Sequence, residues 1–174
     1  VAAISMGVSG AAMAAEFNLR WGHYLGKGPF LEVEQDFARQ IEKRTNGRVK
    51  ISITYAGGLG KGNEVMTLAG RGAIDMAAAP PSYYAEQLLY WKVFQMPFIF
   101  SSPEQAMDVL AKSLAEFPVF NEEMDKMNVK WLFQQPLGVY FLTGPGANCD
   151  SVSGLKGKKL RSFGSSVPKA PAAI

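Results

Sequence analysis

Nucleophilic chemistry needs an activated side chain with a base beside it. The sequence offers sparse parts for that: one histidine, His23, and one cysteine, Cys149, far apart in the chain. Separation in sequence does not bar a meeting in space, so an α/β enzyme using His23 or Cys149 stands as the alternative reading. No G-x-S-x-G elbow, H-E-x-x-H pair or G-x-x-x-x-G-K-[ST] loop occurs, which leaves hydrolase, zinc-protease and P-loop readings without a motif. Gly57, Gly58 and Gly60 look like a phosphate-cradling loop only in part. Their spacing lacks the dinucleotide fingerprint, and a turn between a strand and a helix is the simpler use of them. A single cysteine excludes an internal disulfide and supplies no ligand set for a structural metal, so neither metal nor cofactor is expected. In an oxidising compartment a lone thiol is best buried.

Lys156, Lys158, Lys159 and Arg161 form the one cluster of positive charge, and no aromatic residues alternate with them to stack bases. A nucleic-acid partner is therefore not expected. Read by itself, Arg161 is a surface arginine in a basic turn. Its guanidinium is nevertheless the side chain best suited to grip a carboxylate, because the planar fork donates two parallel hydrogen bonds and stays charged.

The elements that would position these groups follow from periodicity. Phe17, Leu19 and Trp21 alternate with polar residues, as in a strand with one face inward. Phe30, Val33, Phe37 and Ile41 then share one helical stripe, set against Glu34, Arg39 and Lys43, and Asn46-Gly47 supplies a left-handed stop. A second alternating run covers Val49 to Tyr55. Asn63 is placed to cap a short helix through Val65, Met66 and Leu68, and the apolar run Ala73 to Ala79 reads as a third, buried strand ended by Pro80 and Pro81. Ser82 to Tyr90 reads as a short helix, and Phe94, Met96, Phe98 and Phe100 as core packing. Ser102, Pro103 and Gln105 open a helix through Ala106, Val109, Leu110 and Leu114. A helix through Val119, Met124 and Met127 leads to strands at Val129 to Phe133, Val139 to Thr143 and Lys159 to Phe163. Strand and helix in alternation predict an α/β fold with a mostly parallel sheet.

The 48% hydrophobic and 19% charged composition is that of a globular chain able to bury a core. Residues 1–15 carry no charge and end in small residues, the pattern of a signal-peptide tail without its basic start and too short for a membrane span. The expected division is 1–15 as signal remnant, 16–138 as a first α/β domain and 139–174 as a hinge strand with the start of a second, the C-terminus reading as cut.

Five segments then stand in a recognisable order: Arg44-Thr45-Asn46-Gly47-Arg48-Val49, Gly58-Leu59-Gly60, Gly70-Arg71-Gly72-Ala73-Ile74-Asp75-Met76, Met96-Pro97-Phe98-Ile99-Phe100, and Gly154-Leu155-Lys156-Gly157-Lys158-Lys159-Leu160-Arg161. In this combination the chain resembles the DctP-type solute-binding proteins of tripartite ATP-independent periplasmic (TRAP) transporters, over nearly all of its length after residue 15. The resemblance implies a type II periplasmic-binding-protein-like fold, two domains closing about a hinge, and no catalysis. It also implies a periplasmic location, a small organic acid as ligand and a TRAP-type membrane permease as partner. Arg161 matches the arginine that takes the ligand carboxylate in that family. The position of a second family arginine, shortly after the match to Gly138, is Tyr140 here, which puts a second charged contact in doubt. Further contacts are expected from His23 and Tyr24 after the first strand, Lys61 after the glycine turn, and Pro80 and Tyr83 after the third run. Ordinary roles as loop, surface or packing residues compete for each. A chain lacking much of its second domain would also bind its ligand poorly, a further alternative.

Overall fold

A computed structural model of the chain describes residues 15–136, 138, 140–143, 151–165 and 167–172. Its centre is a three-stranded, all-parallel sheet in the order β2-β1-β3, built from β1 (Phe17–His23), β2 (Val49–Thr54) and β3 (Met76–Ala78). Helix α1 (Glu32–Arg44) connects β1 to β2, and α2 (Val65–Gly70) lies between β2 and β3. The α/β expectation is met, since parallel neighbours need such crossovers.

The recurring short segments of the sequence turn out to be joints. After α1, Asn46 and Gly47 both take left-handed conformations (φ 51° and 79°). Thr45 Oγ1 donates to Ile41 O at 2.8 Å and accepts from Val49 N at 3.1 Å, stitching the helix end to the start of β2. After α2, Gly72 turns at φ 72°. Asp75 then accepts at Oδ2 from Arg20 N at 2.8 Å, while its own N–H donates to Arg20 O at 3.0 Å. That pairing holds the chain on β1 where β3 begins, and because the turn at Gly72 takes up residues 71–75 the strand is shorter than the apolar run that suggested it.

The stripe assigned to α1 is rotated. Phe30 and Val33 are about half exposed, whereas Leu31, Glu34 and Ala38 are buried and Phe37 and Ile41 partly so. Positions 31, 34, 38 and 41 keep helical spacing, and the shift arises because Glu34, read as a solvent marker, is drawn inward by His23. Asn63 does not cap α2. Glu64 occupies that place, and its carboxylate accepts from Lys61 N at 2.9 Å.

A second cluster packs Met66, Tyr84, Leu88, Trp91, Leu110, Phe120 and Met124 between short 3-10 turns (Pro81–Tyr84 and Trp91–Gln95) and helices α3 (Pro103–Glu116) and α4 (Val119–Lys126). The expected helix over Ser82 to Tyr90 is instead the 3-10 turn Pro81–Tyr84 followed by further turns. Ser102 caps α3 as expected, its hydroxyl accepting from Gln105 N at 3.1 Å. Buried Glu123 accepts from Tyr90 N at 3.1 Å, supplying an acceptor for an N–H at the start of a helical turn. Of the run expected in the core, Phe94 and Phe100 stack on each other, but Met96 is exposed and Phe98 is 96% exposed; the turn ends before them and Pro97 redirects the chain.

No ladder forms at Val129 to Phe133, nor among the described residues of the runs expected at 139–143 and 159–163. A strand requires a neighbour to pair its N–H and C=O groups, and here only the alternation survives. Val129 and Trp131 pack against the second cluster, and Phe133 meets Trp21 and Phe37 with ring centroids at 5.8 and 4.9 Å. Short helices α5 (Val152–Leu155) and α6 (Lys169–Ala172) follow. No helix among the described residues is long and apolar enough to cross a membrane. All but the last residue of the stretch 1–15 read as a signal remnant, and Cys149, lie outside the described residues.

Candidate ligand cleft

In an open sheet of order 2-1-3, successive connections leave the central strand on opposite sides, and a crevice opens beyond the carboxyl ends of β1 and β3. His23 and Ala78 are partners in register at that edge. The residues that follow them, Tyr24 on one side and Pro80 to Tyr83 on the other, therefore flank the crevice, and the segment after β2 brings Lys61 and Gly62 to it.

His23 is 3% exposed and fixed at both nitrogens. Leu25 N donates to Nδ1 at 3.0 Å, so the ring proton sits on Nε2, which faces Glu34 Oε1 at 3.1 Å. A histidine engaged on both sides has no lone pair or proton to spare for a ligand. What it presents to the crevice is its ring, stacked on Tyr24 at 5.4 Å with an interplanar angle of 8°. Glu34 is thus the buried partner of His23 that sequence reading missed; its spacing from Ala38 and Ile41 along α1 was the available signal.

Tyr24 meets Tyr83 edge-on at 5.9 Å. Both rings press on Gly62, where an added Cβ would lie 2.7 Å from Tyr83 Cε2 and 3.3 Å from Tyr24 Cγ. Burial pushes the Tyr24 phenol up to about 12, with further contributions from the proximity of Tyr83, Tyr140 and Glu34. Burial also raises the Tyr140 phenol, followed by the proximity of Tyr83. The three tyrosines form one neighbourhood although they come from distant parts of the sequence.

Residues 161–165 come up against the Pro80–Tyr83 side. Gly164, at φ 66°, approaches the turn at Pro81–Tyr84 so closely that a Cβ would lie 2.5 Å from Ser82 Oγ. Three residues earlier, Arg161 is exposed, its guanidinium carbon 5.8 Å from the centre of the Phe163 ring; Phe163 in turn meets Tyr140 at 5.4 Å. Among the described residues Arg161 has no carboxylate partner. An open cleft of about 450 Å³, lined by Asn63, Ser82, Tyr83, Gln87, Gly164 and Ser165 among others, runs beside this wall. The hydroxyls of Ser82, Ser162 and Ser165 are buried without a protein partner. Arg161, Phe163 and Tyr140 are thus brought into one succession of contacts, and Tyr83, Tyr24 and His23 into another. Pro80 is half-buried at the end of β3, and Lys61 is exposed, with no ion pair among the described residues.

Comparison with known proteins gives the family and the fold. A family model described as bacterial extracellular solute-binding protein, family 7 (DctP), matches residues 27–173. A solute-binding protein of Albidiferax ferrireducens is 29% identical over 115 residues, covering 65% of this chain and 34% of the relative. One of Chromohalobacter salexigens is 23% identical over 154 residues, covering 88% and 46%. The chain spans less than half the length of these relatives. Among solved structures, a TRAP periplasmic solute-binding protein of Chromohalobacter salexigens with bound D-glucuronate aligns with a TM-score of 0.55 at 22% identity, covering 63% of this chain and 36% of that one. The Bordetella pertussis extracytoplasmic solute receptor DctP6, which binds pyroglutamic acid, aligns with a TM-score of 0.55 at 12% identity, covering 63% and 36%. At these identities the structures speak to the fold, which is that of the type II periplasmic binding proteins.

Proposed function

The chain belongs to bacterial extracellular solute-binding protein family 7, and from that premise we propose that it forms the part of a periplasmic receptor that holds the carboxylate of a small organic acid and presents it to a TRAP-type membrane permease. The observation that carries this reading is the position of Arg161. Its guanidinium is exposed and free of a carboxylate among the described residues, on a segment that Gly164 anchors against the turn beyond β3. A charged fork left open beside a crevice is matched to an anionic, planar acceptor. Tyr24, Tyr83 and Tyr140 supply the walls, Pro80 fixes the exit from β3, and His23 steadies Tyr24 from behind instead of touching ligand. Lys61 adds positive charge at the mouth, where it attracts anions from a distance. The enzyme alternative falls away, since the family and its relatives are solute-binding proteins.

Glucuronate and pyroglutamic acid, bound by two structural relatives, share a carboxylate with little else in common, which supports charge recognition as the constant feature. Thermal-shift screening of the full-length protein against small organic acids and their amides tests it. Stabilisation by acids but not by the matching amides is expected; stabilisation by both alike would overturn the reading.

A further inference from the structure

Gly164 and Ser82 touch without bonding. Gly164 stands in the left-handed region (φ 66°), and the place a Cβ would take is closed off by Ser82 Oγ at 2.5 Å and Ser82 Cβ at 2.8 Å. An approach so close leaves no room for water in the seam. Yet among the described residues no backbone hydrogen bond and no ion pair joins residues 161–165 to the turn at Pro81–Tyr84. Ser82 is 4% exposed and is held from its own side of the seam, its N–H donating to Gln95 Oε1 at 2.7 Å. Its hydroxyl, and that of Ser165 on the facing segment, are sealed from solvent with no hydrogen-bond partner among the described residues, and both serines line the same cleft.

We propose that this seam is a latch biased to open: the hydroxyls of Ser82 and Ser165, stranded when residues 161–165 shut against the turn, draw water and part the two segments. A buried hydroxyl that has lost its water and gained no partner carries the full cost of desolvation, which exceeds the net value of the bond it lacks. Two such groups lie at one seam. What opposes them there is slight, because a glycine brings little apolar surface to the contact. In a joint that serves stability alone, buried hydroxyls are paired; at this one, opening hydrates both. The bias belongs to the seam itself, so the inference needs no ligand and stands apart from the carboxylate reading. Arg161 lies three residues before Gly164 on the same segment, so the latch also sets how far the guanidinium stands from the crevice.

Spin–spin distances in the full-length protein test this without ligand, with labels on Lys112→Cys in α3 and on Lys158→Cys next to the segment, in a Cys149→Ser background. The parent is expected to show an open and a shut population. Ser82→Ala removes one stranded hydroxyl and keeps the backbone bond to Gln95, so it should raise the shut-to-open ratio at least about fivefold. Ser165→Ala should act in the same direction from the facing side. Gly164→Leu, which drives a side chain into Ser82, should abolish the shut population. Ratios unchanged in both serine variants overturn the proposal, as does a parent found only shut or a shut population that survives Gly164→Leu. Failure of the acid screen leaves the latch standing, and failure of the latch leaves the carboxylate reading standing.

Discussion

Nε2 of His23 and Oε1 of Glu34 lie 3.1 Å apart with both side chains almost wholly shielded from solvent. Breaking such a pair strands a buried polar group, which is costlier than the net value of the bond. Glu34→Ala is therefore expected to destabilise the fold by about 1–3 kcal/mol, and Glu34→Gln, which keeps an acceptor for Nε2–H, by less. Urea denaturation of the two variants checks this. Equal costs for both would show that the acceptor is immaterial.

Gly62 holds a second relationship. A Cβ there would fall 2.7 and 2.9 Å from Tyr83 Cε2 and Cδ2, so Gly62→Ala must displace a ring that lines the crevice. Overpacking of this kind costs about 1–3 kcal/mol. Because Tyr83 is only half-buried, the ring has room to swing outward, and ligand affinity should suffer more than stability. An unchanged dissociation constant beside a large loss of stability would contradict the placement of Tyr83 in the ligand wall.

Tyr24 predicts a pH dependence. Its phenol titrates at about 12 in the folded protein against about 10 in an unfolded chain. Between those values the unfolded chain has released a proton that the native state keeps, so the slope of stability with pH is negative. The contribution is complete below about pH 10 and is lost as pH rises toward 12. Tyr24→Phe removes the titrating group, and its unfolding midpoint should fall less steeply over that window than that of the parent. Parallel curves would show that Tyr24 is not shielded.

The particular residues show why some of this was legible in sequence. Period-two runs at Phe17 to Trp21 and Val49 to Tyr55 gave β1 and β2, because in a half-buried parallel strand the side-chain alternation and the ladder coincide. At Val129 to Phe133 the same alternation reports burial alone; pairing depends on a neighbouring strand, which local pattern does not encode. Glu34 was misassigned because helical periodicity sorts residues by hydrophobicity, and a buried carboxylate satisfied by a distant histidine looks like a solvent-facing one. The residues of the proposed ligand wall were named in part, as Tyr24, Tyr83 and Tyr140 next to Arg161. Its contact with Phe163 and the tight Gly62 and Gly164 approaches are long-range relationships that only the folded chain displays.

The central claim is that Arg161 carries the charge recognition of this receptor, and calorimetry of the full-length protein with its best-binding acid tests it most directly. A charge-assisted hydrogen bond contributes about 1.5–3 kcal/mol, so loss of the fork should weaken binding by at least about tenfold. Arg161→Lys, which keeps the charge and loses the fork, should recover only part of what Arg161→Ala removes. Tyr140→Phe, losing a neutral hydroxyl and keeping the ring, should cost less than either. That order of affinities is the predicted result; carboxylate affinity in Arg161→Ala equal to that of the parent protein would contradict the account.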